Sequence, residues 1–158
     1  MPRMQPTQFR GKSKLGYRGD AILQLDWTVG QIQQQLQLLG MDKNTIIIFS
    51  SDNGPVLDDG YVDGAVAQLN GHQPAGPLRG GKYSIFEGGT RVPFIVSGQG
   101  VAKGKVSNAL ISQMDLLATS AQLVGVKLKA DEAKDSKALL KTLTGEDPKG
   151  RSSIIQHA

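Results

Sequence analysis

A chain of 158 residues with 39% hydrophobic and 20% charged side chains has the size and composition of one folded domain, which argues against disorder. Its longest apolar run, Ile46 to Phe49, falls far short of the roughly 20 residues that a membrane helix needs. The net charge of +4 is scattered, with only a mild cluster at Arg10, Lys12, Lys14 and Arg18, so neither a membrane nor a nucleic acid is an expected partner.

The absence of cysteine excludes disulfides, cysteine-ligated zinc and a cysteine nucleophile from these residues. The opening Met1-Pro2-Arg3-Met4-Gln5-Pro6 has no apolar core of a secretion leader. The first stretch, to Gly19, reads as extended loop. A long helix is predicted next. Ile22, Leu25, Val29, Ile32, Leu36 and Leu39 alternate spacings of three and four, which puts them on one face, and glutamines fill the other. Asp20 is expected to cap or charge its N-terminus, and Gly40 to stop it.

Thr45 to Ser51 is the clearest strand. Its β-branched and aromatic run lacks polar alternation, which predicts burial on both faces, as in a parallel sheet. Asp52-Asn53-Gly54-Pro55 ends it. Residues 54 to 91 form a connection rich in Gly and Pro, and a connection of that length usually serves function. A second buried strand is expected at Val92 to Val96. A helix from about Ser112 to Val124 follows, with Met114, Leu117, Ala118 and Ala121 inward and Gly125 closing it. A shorter helix from Asp135 through Leu139, Leu140 and Leu143 ends at Gly145, and Ser152 to His157 reads as a last strand. This order of elements indicates an α/β fold.

Four features carry candidate chemistry. Asp52 and Asn53 place a carboxylate and an amide oxygen side by side at a strand end, a donor pair suited to calcium or magnesium; on spacing alone, a simple turn is the better reading. Gly76-Pro77-Leu78-Arg79-Gly80-Gly81-Lys82-Tyr83 approaches a phosphate-binding loop but puts Tyr83 where the metal-binding hydroxyl belongs. A lysine in such a loop can still hold an anion by its charge and through neighbouring N–H groups. Asp58, Asp59 and Asp63 lack the spacing of a calcium-binding EF-hand and read as a solvated acidic loop. His72 is polar-flanked in a loop and on its own reads as a surface residue; His157, among apolar neighbours, reads as structural.

Together these pieces resemble the sulfatases. Thr45-Ile46-Ile47-Ile48-Phe49-Ser50-Ser51-Asp52-Asn53-Gly54 resembles that family's strand and metal-ligand turn. Pro77-Leu78-Arg79-Gly80-Gly81-Lys82-Tyr83-Ser84-Ile85-Phe86-Glu87-Gly88-Gly89-Thr90-Arg91-Val92-Pro93-Phe94 resembles its second signature region. Arg18 to Gly30 and Gln113 to Thr119 are similar to the helices on either side, so the resemblance reaches about residue 145. It implies an alkaline-phosphatase-like α/β fold, a mostly parallel sheet flanked by helices, with residues 1–158 as part of a sulfatase domain. It further implies Asp52 and Asn53 as ligands of Ca2+, Lys82 as the lysine that contacts sulfate and serves catalysis, and His72 at the border of the substrate pocket. Arg79 and Glu87 are expected to organise the loop, Glu87 pairing with Arg79 or Arg91.

The departures matter equally. The family's nucleophile is a formylglycine made in the pattern Cys/Ser-x-Pro/Ala-x-Arg, and no such pattern occurs here. The family's first two aspartate ligands come from a segment also missing, and Met1-Pro2-Arg3 resembles the region just after a His-x-Pro motif. The expected activity is therefore sulfate-ester hydrolysis by a protein of which this is a fragment, acting on a sulfated small molecule or glycan. A phosphate-ester hydrolase of the same superfamily and a non-catalytic anion-binding module are the alternatives. The resemblance implies a periplasmic, secreted or lysosomal setting, and strands cut from a sheet are expected to favour self-association.

Overall fold

The computed structural model describes residues 5–156. His157 and the Met1-Pro2-Arg3 segment lie outside the described residues. The elements are α1 (Gly16–Leu38), a short 3-10 turn (Asp42–Asn44), β1 (Ile46–Ser50), α2 (Glu87–Thr90), β2 (Phe94–Gly98), α3 (Asp115–Leu123) and α4 (Leu140–Leu143). The chain divides into two compact units. One holds the described residues up to Thr45 together with Phe49–Phe94; the other holds Ile46–Ile48 and residues 95–156. No helix among the described residues is long and apolar enough to cross a membrane.

In the first unit, α1 starts at Gly16, one turn earlier than the sequence suggests, and this changes the role of Asp20. The carboxylate does not cap its own helix. It folds the preceding segment back, accepting the N–H groups of Gly11 at 2.7 Å, Lys12 at 3.0 Å and Ser13 at 2.8 Å. The side chain is almost wholly buried. The Ser13 N–H bond leads the effects that hold its carboxyl below the usual aspartate range, with Gly11 and Lys12 assisting against the opposing cost of burial. Phe9, buried, meets the edge of Trp27 with ring centroids 5.6 Å apart, which pins the opening loop to the helix. Gly40 stops α1 as expected, with φ 67° and its N–H on the Gln37 carbonyl.

The apolar stripe of α1 is largely uncovered. Ile22 is 63% exposed, Ile32 51% and Leu39 61%; Val29 and Leu36 are half-buried. Periodicity identifies the face a helix would bury, but burial needs a partner surface, and the described residues supply little of one.

The two strands pair with each other. They are neighbours, and this pair runs antiparallel. Ser50 Oγ donates to the Pro93 carbonyl at 2.9 Å, and four residues further on the Gly54 N–H meets the carbonyl of Gly89, four residues further back. Strand direction depends on the partner and not on a strand's own residues. The β1 residues are half-buried rather than enclosed on both faces. The second strand begins at Phe94, two residues later than expected, because Pro93 offers no N–H to a ladder.

The second unit is organised by one carboxylate. Asp115 opens α3 and accepts N–H groups from Ser112 at 2.9 Å and Lys137 at 2.8 Å, and Arg151 binds both its oxygens, Nε at 2.7 Å. Thr119 Oγ1 receives the Leu139 N–H at 3.0 Å, and Ser136 Oγ that of Ala118 at 2.9 Å. These bonds hold 136–139 in an irregular path, so the predicted second helix shrinks to the single turn Leu140–Leu143. On α3, Ala118 is buried and Ala121 half-buried, but Met114 and Leu117, expected inward, are exposed. Gly125 and Gly145 close their helices at positive φ, as expected. The last predicted strand is absent among the described residues: a lone parallel bridge joins Leu110 to Gly150, and residues 152–156 are irregular.

Burial would raise the Asp115 pKa, but the Arg151 hydrogen bonds, the Lys137 and Ser112 N–H groups and the arginine's charge outweigh it and set the carboxyl below its ordinary value. The Arg151 guanidinium is held more firmly protonated, chiefly by its bonds to Asp115. A carboxyl with a depressed folded pKa binds its proton more readily in the unfolded chain, so stability rises with pH through that interval. Local stability here is expected to be flat from neutrality to about pH 4 and to fall on further acidification. Hydrogen exchange at the Lys137 and Ser112 amides checks this; protection that stays constant well below pH 3 contradicts it.

Candidate functional site

The turn that leaves β1 and the Gly-rich loop that precedes β2 are knitted together by their backbones. Gly54 N–H donates to Gly89 O at 2.8 Å, and Lys82 N–H to Pro55 O at 2.9 Å. Within the loop, Gly88 N–H reaches Arg79 O at 2.8 Å, Gly89 N–H reaches Phe86 O at 2.8 Å, and Ser84 Oγ donates to Gly81 O at 2.9 Å. The approach is close enough to require glycine. A Cβ on Gly54 would lie 1.8 Å from the Gly88 carbonyl oxygen, and one on Gly88 would lie 2.4 Å from the Gly80 oxygen. Residues some 30 apart in sequence therefore form one structural corner.

This corner carries three of the four predicted site residues. Asp52 is exposed, and its carboxylate makes no hydrogen bond or ion pair among the described residues. Asn53 is half-buried; its amide N–H donates to the Gly54 carbonyl at 2.9 Å, which leaves the amide oxygen as a donor atom for a ligand. Lys82 is half-buried, and its ammonium has no carboxylate partner among the described residues; it stands 5.4 Å from the centre of the Tyr83 ring. His72 is not brought to the corner by any contact. It is exposed in a turn, where its N–H meets the Leu69 carbonyl at 2.7 Å.

The supporting residues behave partly as expected. Glu87 pairs with Arg91 at 3.7 Å, one helical turn away and exposed; Arg79 instead lays its guanidinium over the Phe86 ring at 3.9 Å. The acidic loop needs correction. Arg18 on α1 donates to Asp63 at 2.9 Å, to Asp59 at 3.1 Å and to the Val56 carbonyl, so Asp59 and Asp63 anchor the loop rather than serve as solvated charge. Only Asp58 of the three is exposed. The Gly54–Gly88 packing was also missed; the Gly88-Gly89 dipeptide was its one visible signal.

Asp52 and Asn53 are hard oxygen donors of the kind a divalent cation takes, but calcium takes six to eight, and no group of three or more His, Cys, Asp or Glu poised for a metal exists among the described residues. The pair fits such an ion in kind and falls short in number.

Residues 2–126 match the family model described as sulfatase. The chain belongs to the sulfatase family. It is 52% identical over 156 residues to an N-acetylgalactosamine-6-O-sulfatase of Bacteroides thetaiotaomicron, covering 99% of this chain and 30% of that protein. An N-acetylgalactosamine-6-sulfatase of Mus musculus is 42% identical over 90% of this chain and 26% of its own length. The chain thus spans under a third of the curated relatives it matches. A solved structure concerned with glycosaminoglycan metabolism by Bacteroides thetaiotaomicron superposes with a TM-score of 0.90 at 52% identity, over 96% of this chain and 32% of that one. The PsFucS1 sulfatase from Pseudoalteromonas sp. gives 0.74 at 30% identity, over 95% and 29%. These likenesses support the α/β sulfatase fold.

Proposed function

We propose that this chain is one section of a longer sulfatase and supplies half of its sulfate-ester site. The observation that carries this reading is the glycine-packed corner, which sets the half-buried Lys82 on the same scaffold as Asp52 and Asn53. In this reading the Lys82 ammonium binds the sulfate oxygens and stabilises negative charge that grows toward the transition state. Asp52 and Asn53 would hold Ca2+ together with oxygen ligands from the rest of the protein, and the bound ion would supply Lewis-acid polarisation of the sulfate. The nucleophile comes from outside these residues, since they contain no cysteine and no formylglycine pattern.

The substrate class follows from the relatives: two are N-acetylgalactosamine-6-sulfatases, which favours a sulfated glycan, with His72 at the edge of the pocket. In the complete protein, β1 and β2 join a larger, mostly parallel sheet, which also covers the apolar stripe of α1. That residues 1–158 form only part of a domain belongs to the same proposal.

The test uses the chain and the complete protein side by side. The 158-residue chain is expected to show no turnover of an activated aryl sulfate and to bind calcium poorly by calorimetry, because two side chains provide two or three ligand oxygens and one negative charge. The complete protein is expected to hydrolyse sulfate esters and lose that activity on chelation. Metal-dependent turnover by the isolated chain, or phosphate esters preferred by the complete protein, overturns the reading.

A further inference from the structure

Among the described residues, Asn70, Tyr83 and Ala133 have positive φ without being glycine. Asparagine enters that region readily; a bulky aromatic does so only when its surroundings force it. Tyr83 is forced from both sides. The Lys82 N–H is tied to Pro55 O at 2.9 Å and the Ser84 N–H to Gly81 O at 3.1 Å, so the backbone between them turns left-handed at φ 73°. The result is a ring that packs against little: Tyr83 is 85% exposed, with the Lys82 ammonium near its face. An aromatic ring projected beside a cation is suited to a ligand that is anionic at one point and apolar along a neighbouring face.

We propose that Tyr83 is a substrate-contact residue whose ring stacks on the sugar that bears the sulfate held by Lys82. The inference rests on the reading of Lys82 as the sulfate contact. A pyranose presents an apolar C–H face and a polar hydroxyl rim. An aromatic face takes up the first and leaves the second free for hydrogen bonds elsewhere, which selects for a sulfated sugar over a bare anion.

The experiment compares wild type, Tyr83→Gly and Tyr83→Phe in the complete protein. Glycine adopts the left-handed backbone without strain, so loss of the ring is separated from loss of the loop. Two quantities are read: KM for N-acetylgalactosamine 6-sulfate, and the inhibition constant of inorganic sulfate, which has no ring to stack. Tyr83→Gly is expected to raise KM about three- to tenfold while the sulfate inhibition constant stays put, and Tyr83→Phe to restore KM. An unchanged KM in Tyr83→Gly overturns the proposal. A parallel rise in the sulfate inhibition constant also overturns it, because the ring would then act by positioning Lys82. If the wild-type protein turns over no sulfated sugar, the functional reading itself has failed, a result distinct from either.

Discussion

Replacing Lys82 with alanine in the complete protein is expected to lower kcat for sulfate-ester hydrolysis about a hundred- to a thousandfold, the loss typical of removing one charge-stabilising donor from an active site. The effect should fall mainly on kcat, since the charge that Lys82 faces grows as the S–O bond breaks. The fold should be unaffected. The loop is held at this position by the Lys82 N–H on Pro55 O, and alanine keeps that group. Lys82→Arg retains the charge with a different donor geometry and should recover only part of the rate. Steady-state kinetics and a thermal melt on the same preparations decide the matter. A Lys82→Ala protein with undiminished kcat would remove this residue from the chemistry.

Substituting Gly54 with alanine should be as damaging by another route. The new methyl group would sit 1.8 Å from the Gly88 carbonyl oxygen and 2.8 Å from the Gly89 Cα, both backbone atoms that cannot swing aside. The two segments must part, and the bonds from Gly54 N–H to Gly89 O and from Lys82 N–H to Pro55 O are lost with them. A cost of about 3 kcal/mol or more is expected, at the severe end for a single substitution. The Asp52–Asn53 turn would also separate from Lys82, so activity should fall beyond what instability explains. Gly30→Ala is the control. Gly30 lies in α1 with open space around it, and alanine there should leave stability equal or raise it by about 1 kcal/mol. Urea denaturation of both variants tests the pair; a Gly54→Ala midpoint matching wild type would refute the close-packing argument.

Much of this protein is determined by local sequence. The α1 helix and its Gly40 stop, the β1 strand and the turn after it all follow from periodicity, β-branching and glycine's access to positive φ, and these depend on residues a few positions apart. The candidate residues Asp52, Asn53 and Lys82 were singled out by resemblance to contiguous family motifs; spacing alone favoured a simple turn at Asp52-Asn53.

What only the tertiary structure decided is whatever joins distant residues. The antiparallel direction of β1 against β2, the tie from Arg18 to Asp59 and Asp63, and the turning of the Asp20 carboxylate toward Gly11, Lys12 and Ser13 are pairings chosen after the chain closes on itself. The Arg151–Asp115 pair spans 36 residues and displaces two elements that local pattern favoured, because satisfying a buried carboxylate outweighs the weak preference of a short segment for helix or strand. Exposure of the α1 stripe shows the same division: periodicity names the face to be buried, and only a partner surface can bury it.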